Sequence, residues 1–208
     1  MKCVALVSGG IDSPVAAYVA MRCGFEVMPL VMDNGLFSQE SVRKARAIMG
    51  VLKKYHKGGA YYVVAPHHRN LQEFVSECPR KLTCILCKRM MMRVACKLAE
   101  KEGGDAVVTG ELLGSKASQT LHNLGVVSQA STLPVIRPML ALNKEEIERI
   151  GREIGTYEIS SKGGECCKAV PEGPSTKANL EDVFDAERNI DVDALADWSV
   201  ENSRKVSL

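Results

Sequence analysis

Three groups of residues in this sequence have the types and spacing to do chemistry. The first is Ser8-Gly9-Gly10-Ile11-Asp12-Ser13. Two adjacent glycines let a backbone approach a phosphate closely, and a helix opening after such a turn offers unpaired N–H groups and the positive end of its dipole. Ser8 and Ser13 add hydroxyl donors. Neither a Walker A lysine before Ser/Thr nor a GxGxxG run is present. A Gly-Gly loop without that lysine suits binding of a pyrophosphate leaving group better than transfer of a terminal phosphoryl group. An ordinary strand-to-helix turn could contain the same residues, but its place after the first strand favours the functional reading. The second group is Cys84-Ile85-Leu86-Cys87, a CxxC at a helix start, where the dipole lowers thiol pKa. A redox disulfide, half of a zinc site and half of an iron–sulfur site all use this spacing; there is no second CxxC to favour zinc. The third group is Cys166-Cys167, in a polar loop beside Lys168, where a thiol has reach and a neighbouring cation.

The elements that must position these groups follow from apolar periodicity. Short apolar runs at Val4–Val7, Val27–Met32, Tyr61–Ala65, Ala106–Thr109 and Leu133–Arg137 read as strands. Between them, Asp12–Cys23, Ser38–Tyr55, Cys87–Glu102 and Lys116–Leu124 read as helices, and Asn143 caps a charged helix running to Ile154. Alternation of this kind implies βαβ units and a mostly parallel, doubly wound α/β sheet covered on both faces. Ligands on such sheets bind at the carboxyl ends of the strands, where Ser8–Ser13, Asp33-Asn34 and Gly110-Glu111 converge. Residues 157–177 read as a functional loop and 179–208 as an acidic helical tail, which divides the chain into a catalytic domain over 1–178 and a docked tail.

The chain has 208 residues, 46% hydrophobic and 25% charged, the composition of an ordinary globular domain. Apolar runs stop well short of a membrane span, and Met1–Val7 lacks a cleavage-site pattern, so a cytoplasmic protein is expected. In that setting eight cysteines point to catalysis or metal binding rather than a disulfide framework. Cys3, Cys23 and Cys96 sit in apolar contexts and read as packing residues. The net charge of +2 does not argue for nucleic acid by itself. Lys88, Arg89 and Arg93 form a candidate local basic surface, and His67, His68 and Arg69 read as a solvated face.

SGGxDS after a first strand is the signature of the PP-loop ATP pyrophosphatases, which adenylate a carbonyl oxygen and release pyrophosphate. Further blocks follow in order: LCKRMMMR over Leu86–Arg93, TGELLGSKASQTLHNL over Thr109–Leu124, LPVIRPML over Leu133–Leu140 and CKAVPEGPSTKA over Cys167–Ala178. Together they resemble the tRNA 4-thiouridine sulfurtransferase (ThiI) family, also associated with thiamine biosynthesis. The resemblance implies a PP-loop fold using ATP and Mg²⁺. By position, Leu6 and Val7 line the nucleotide, Val31 and Met32 contact adenine, and Lys88, Gly110 and Gln119 match nucleotide-contacting positions. A cation at Lys88 would stabilise charge building on the phosphates. Asp12 becomes a Mg²⁺ or phosphate-water ligand, although a helix N-cap would also explain it, and Glu111 is a candidate of the same kind. Cys167 matches the thiol that resolves a persulfide or attacks the activated carbon, with Cys166 as an adjacent substitute. Cys84, Cys87 and Cys167 together resemble the arrangement of some archaeal-type members, in which three thiolates hold an iron–sulfur cluster with one open iron.

The sequence departs from the full-length pattern in lacking a THUMP region before the first strand and a rhodanese-like domain after the catalytic loop. The expectation is therefore that tRNA is met through a separate RNA-binding subunit and that sulfur comes from sulfide or a persulfide protein, with a homodimer also open. The same adenylation on a small molecule or carrier protein, and a non-catalytic nucleotide-binding subunit, are the competing readings.

Overall fold

The computed structural model describes residues 1–56, 61–163 and 167–208; Cys166 lies outside the described residues. Strands β1 (Lys2–Leu6), β2 (Glu26–Asp33), β3 (Tyr61–Pro66), β4 (Ala106–Val108), β5 (Val135–Ile136) and β6 (Arg204–Ser207) form one sheet in the order β5-β4-β1-β2-β3-β6. The first five run parallel, and β6 pairs antiparallel with β3.

Because side chains alternate along a strand, each strand feeds two cores. Val4, Leu30, Val63 and Val107 face one side. There α3 (His68–Glu77), α4 (Thr83–Glu102), α5 (Leu121–Ser128), α8 (Leu180–Arg188) and α9 (Val192–Glu201) pack. Cys3, Ala5, Val31 and Val64 face the other, covered by α1 (Asp12–Arg22), α2 (Gln39–Leu52) and α6 (Lys144–Ile154). Full burial of each large aliphatic side chain in these layers contributes ~1.5–3 kcal/mol. The chain winds from β1 out through β2 and β3, then returns to place β4 and β5 on the other side of β1. The winding reverses between β1 and β4, and the crevice at their carboxyl ends is where such sheets take ligands.

The differences from the expected elements have local causes. The helix expected from Cys87 begins at Thr83, after Pro79 and a 3₁₀ turn over Arg80–Leu82, so both CxxC cysteines lie in its opening turns. The helix expected over Lys116–Leu124 is instead a 3₁₀ turn at Ala117–Gln119 followed by α5, because the Thr120 hydroxyl accepts from Asn123 N at 3.2 Å and starts the helix there. Asn143 forms the expected cap, in a full capping box with Glu146. Residues 157–177 contain a short helix, α7 (Tyr157–Ser161). The tail supplies α8 and α9 and then β6, a strand absent from the expectation. Cys3 and Cys96 are buried as expected, but Cys23 is exposed, at the C-cap of α1. Among the described residues no helix is long and apolar enough to cross a membrane.

Candidate functional site

The loop between β1 and α1 is closed by its own serines. Ser8 N donates to Ser13 Oγ at 2.8 Å, the two hydroxyls lie 3.0 Å apart, and Gly10 N donates to Ser8 Oγ at 3.2 Å. Outside it, Ser160 Oγ from α7 donates to Gly10 O at 3.1 Å. Residue Ile11 precedes α1 with no side-chain cap, and Asp12 is the first helical residue. The N-cap explanation of Asp12 therefore fails, and the helix start keeps its unpaired N–H groups. Burial raises the Asp12 carboxyl, against the lowering influence of Lys116 and Lys144.

Two glycines are dictated by close approach. A Cβ on Gly110 would lie 2.5 Å from Ser13 Cα and 2.6 Å from Ser13 N. That is backbone, which cannot move aside, so only glycine lets the end of β4 sit against the first turn of α1. A Cβ on Gly9 would meet Lys44 Cβ at 2.8 Å. The Lys44 ammonium in turn reaches the carbonyls of Lys162 and Gly163, tying α2 to the stretch beyond α7.

Between these walls, at the strand ends, opens a cleft with a mostly apolar lining, the kind of lining that small-molecule sites have. Of the sequence-derived candidates, Leu6, Val7, Ser8, Ser13, Val31, Met32, Lys88 and Gly110 line it. Gly9, Gly10, Asp12 and Gln119 do not. Gln119 instead uses its Oε1 to hold Leu112 N at 3.1 Å and Ser115 Oγ at 2.5 Å, which shapes the loop after β4. Met91 and Met92 complete the apolar wall, and Asn34 reaches the cleft with its buried Oδ1 lacking a partner among the described residues. An orphaned acceptor beside an apolar slot fits a flat ligand that carries an N–H or O–H donor.

At the cleft's edge Lys88 Nζ lies 2.8 Å from Glu111 Oε1, while Arg137 Nε donates to Glu111 Oε2 at 2.8 Å. Burial alone would raise the Glu111 carboxyl, but the two cations outweigh it and hold the group below its ordinary value. Both Glu111 oxygens are thus engaged, and the pair of cations leaves a net positive charge by the cleft. Lys88 is thus held at the cleft by Glu111 rather than standing free in solvent. Its neighbours Arg89 and Arg93 are no basic surface either: both grip Glu187 of α8, and Arg89 is 1% exposed.

Beside this cleft lie the cysteines. Cys84 and Cys87 are three residues apart on α4 and so share a face. Cys167 is close enough to raise both thiols electrostatically. Burial is the larger cause in each case and lifts both above the ordinary thiol value, so desolvation defeats the helix dipole that was expected to lower them. All described cysteines are free. Among the described residues no group of three His, Cys, Asp or Glu is arranged to hold a metal ion. The Cys167 segment is tethered rather than loose: Lys168 N donates to Phe37 O at 2.9 Å, and Ser175 N to Lys81 O at 3.0 Å. His67, expected on a solvated face, is fully buried, and its Nε2 lies 3.2 Å from Cys87 Sγ. Burial pushes its pKa down to about 3, which keeps the ring neutral.

Asn34 was placed at the strand ends from sequence, whereas Met91, Met92, Arg137 and His67 escaped selection. The two methionines and Arg137 stood inside the matched blocks; nothing in the sequence marked His67.

The family model described as "Thiamine biosynthesis protein (ThiI)" matches residues 1–192. The chain belongs to the ThiI family. A relative named probable tRNA sulfurtransferase from Caldanaerobacter subterraneus subsp. tengcongensis is 42% identical, covering 94% of this chain and 52% of its own length. One of the same name from Methanosarcina mazei is 35% identical, covering 100% of this chain and 52% of its own. The solved structure of a 4-thiouridine synthetase–RNA complex with bound ATP is similar at a TM-score of 0.93 and 34% identity, over 100% of this chain and 55% of that one. The chain thus spans about half the length of the curated ThiI-family relatives it matches, and its fold is the PP-loop α/β fold.

Proposed function

We propose that this chain carries ATP-dependent thiolation: a carbonyl oxygen, O4 of a tRNA uridine, is adenylated and then replaced by sulfur. The observation that carries the reading is one strand-end crevice with a serine-closed Gly-Gly loop and Lys88 on its walls and three thiols beside it. The relatives' names and the ATP and RNA of the solved synthetase support it.

Adenine fits the apolar slot of Leu6, Val31 and Met32, with Asn34 Oδ1 accepting from the ligand. The phosphates face Ser8, Ser13 and the uncapped start of α1, where backbone N–H groups favour anions. The uridine oxygen attacks the α-phosphorus, the bond to the β-phosphate oxygen breaks, and pyrophosphate leaves. Lys88, fixed by Glu111, stabilises the charge that builds there. Hydrosulfide then adds at C4 and AMP departs with the original oxygen, so ATP, uridine and HS⁻ give 4-thiouridine, AMP and pyrophosphate. With a persulfide donor, Cys167 attacks the inner sulfur, the S–S bond breaks and the outer sulfur leaves as the hydrosulfide that adds at C4. Cys87 of the CxxC then displaces the donor thiol, so the redox balance closes as a Cys167–Cys87 disulfide. Asp12 would hold Mg²⁺, which supplies charge compensation to the phosphates. Cys84, Cys87 and Cys167 are the donor set an iron–sulfur cluster takes; they must draw together to hold one, and no step above depends on it.

Product analysis tests the reading: AMP and pyrophosphate are expected, and ADP with phosphate as main products would refute it. With a persulfide donor, Cys167→Ser should abolish sulfur transfer while leaving a measurable burst of pyrophosphate. Iron and sulfide analysis after anaerobic purification decides the cluster.

A further inference from the structure

His67 takes no part in the chemistry just described, yet it is the most constrained polar side chain near the thiols. It follows β3 directly, and its backbone N–H donates to Asp33 O at 2.7 Å, which fixes where the ring starts. Its Nδ1 lies 3.0 Å from Asn70 Nδ2, and the same Asn70 nitrogen donates to Ser199 Oγ at 2.9 Å. His67, Asn70 and Ser199 are all fully buried. With Asn70 oriented so that Nδ2 donates to Ser199, which leaves Asn70 Oδ1 without a partner among the described residues, His67 Nδ1 acts as acceptor, and a neutral imidazole has a single N–H. That proton is therefore on Nε2, 3.2 Å from Cys87 Sγ, and the sulfur is the acceptor.

The geometry points to His67 as the positioning residue for the Cys87 sulfur. Its N–H···S bond orients Sγ toward Cys84 and Cys167 and favours whichever sulfur state carries most electron density, as hydrogen bonds to sulfur do in thiolate sites generally. A buried histidine donating through a fixed tautomer has a clear rationale here, whereas packing alone would be served better by an apolar ring that needs no partner. The chain of bonds also reaches across the molecule: α9 holds Asn70 through Ser199, so the tail helix helps set the tautomer of His67 beside Cys87. This inference rests on the thiolation reading, but concerns the sulfur half-reaction alone.

The test separates the two. In repeated turnovers with ATP, an RNA acceptor and a persulfide donor, His67→Leu should still release its burst of pyrophosphate but sustain sulfur transfer roughly 10–100-fold more slowly, the scale on which losing an outer partner acts at a ligand site. His67→Gln, whose amide can present an N–H near the Nε2 position, should restore most of that loss. Absence of a pyrophosphate burst in the unaltered protein would count against the thiolation reading, not against His67. A readout free of turnover is the ¹⁵N-resolved imidazole spectrum of the purified chain. It should show the proton on Nε2, with a resonance that moves in Cys87→Ala and stays in place in Cys84→Ala. The inference is overturned if His67→Leu transfers sulfur at the unaltered rate, if Gln rescues no better than Leu, or if the proton is found on Nδ1.

Discussion

Glu111 and Glu187 are each gripped by two cations, and in each case at least one comes from α4. Glu111 takes Lys88 and Arg137, and Glu187 takes Arg89 and Arg93. In sequence Lys88, Arg89 and Arg93 are one basic cluster; in space adjacent helix positions point about 100° apart and do not face the same partner. All three nitrogens of Arg89 are engaged, Nε and one terminal nitrogen on Glu187 and the other on Val126 O at 2.6 Å. It pins the tail helix α8 to the domain. Lys88 spends one of its donors on Glu111 and lines the cleft with the ammonium still able to donate. The same local chemistry thus serves as a clamp in one region and as a poised charge in the other. What separates them is whether the carboxylate lies at the strand ends or under the tail.

Removing Glu187 should have the largest effect. Glu187→Ala leaves two guanidinium groups without their carboxylate, one of them buried, and should cost about 3–5 kcal/mol of stability, read by calorimetry or denaturant titration. Pyrophosphate release by the folded fraction should stay close to normal; a lost activity with unchanged stability would dissolve the contrast. Lys88→Ala should do the reverse, lowering AMP formation by roughly 10²–10³ as loss of an oriented transition-state charge does. Its melting temperature should barely move, because Arg137 still neutralises Glu111. Next comes Gly110→Ala, whose new methyl meets the Ser13 backbone. About 1–3 kcal/mol of overpacking strain is expected, with weaker ATP binding by calorimetry as the loop shifts. The smallest effect is on the pH dependence of stability. Both carboxyls are held below their ordinary value of 4.5, so their contribution is complete above that value and is lost as pH falls through their lowered folded values. Glu187→Gln should flatten the acid limb of the stability curve; an unchanged limb would mean that Glu187 is not held by its arginines in solution.

The strands and the Gly-Gly loop were legible because they depend on short-range patterns. Val4–Val7 and Val27–Met32 are continuous apolar runs, and Gly9-Gly10 before a helix has few other uses. Elements whose identity rests on distant partners were not. In α3 the apolar residues Leu71, Phe74 and Val75 do carry helical spacing, but His67, His68 and Arg69 ahead of them looked like solvent-facing polarity. Burial of His67 follows from Cys87, Asn70 and Ser199 closing around it, none of which is near it on a linear reading except Asn70. The expected lowering of the CxxC thiols is outweighed for a similar reason: position on a helix start was visible, the depth of that start was not. In β6, Arg204, Lys205 and Ser207 are edge-strand residues, and polar composition there resembles a fraying helix end.

The pairing of β6 with β3 has a kinetic meaning. Tyr61 meets Ser207 and Val64 meets Arg204, contacts between residues far apart in sequence, of the kind that makes folding slow. During synthesis the four inner strands can assemble while the outer edge of β3, with buried Tyr62 and Val64, still presents unpaired amides. An open apolar edge is an invitation to another chain. Lys205, reaching Glu102 at the end of α4 and lying over the Tyr61 ring, then closes that edge with charge, so the last strand added acts as the molecule's guard against self-association.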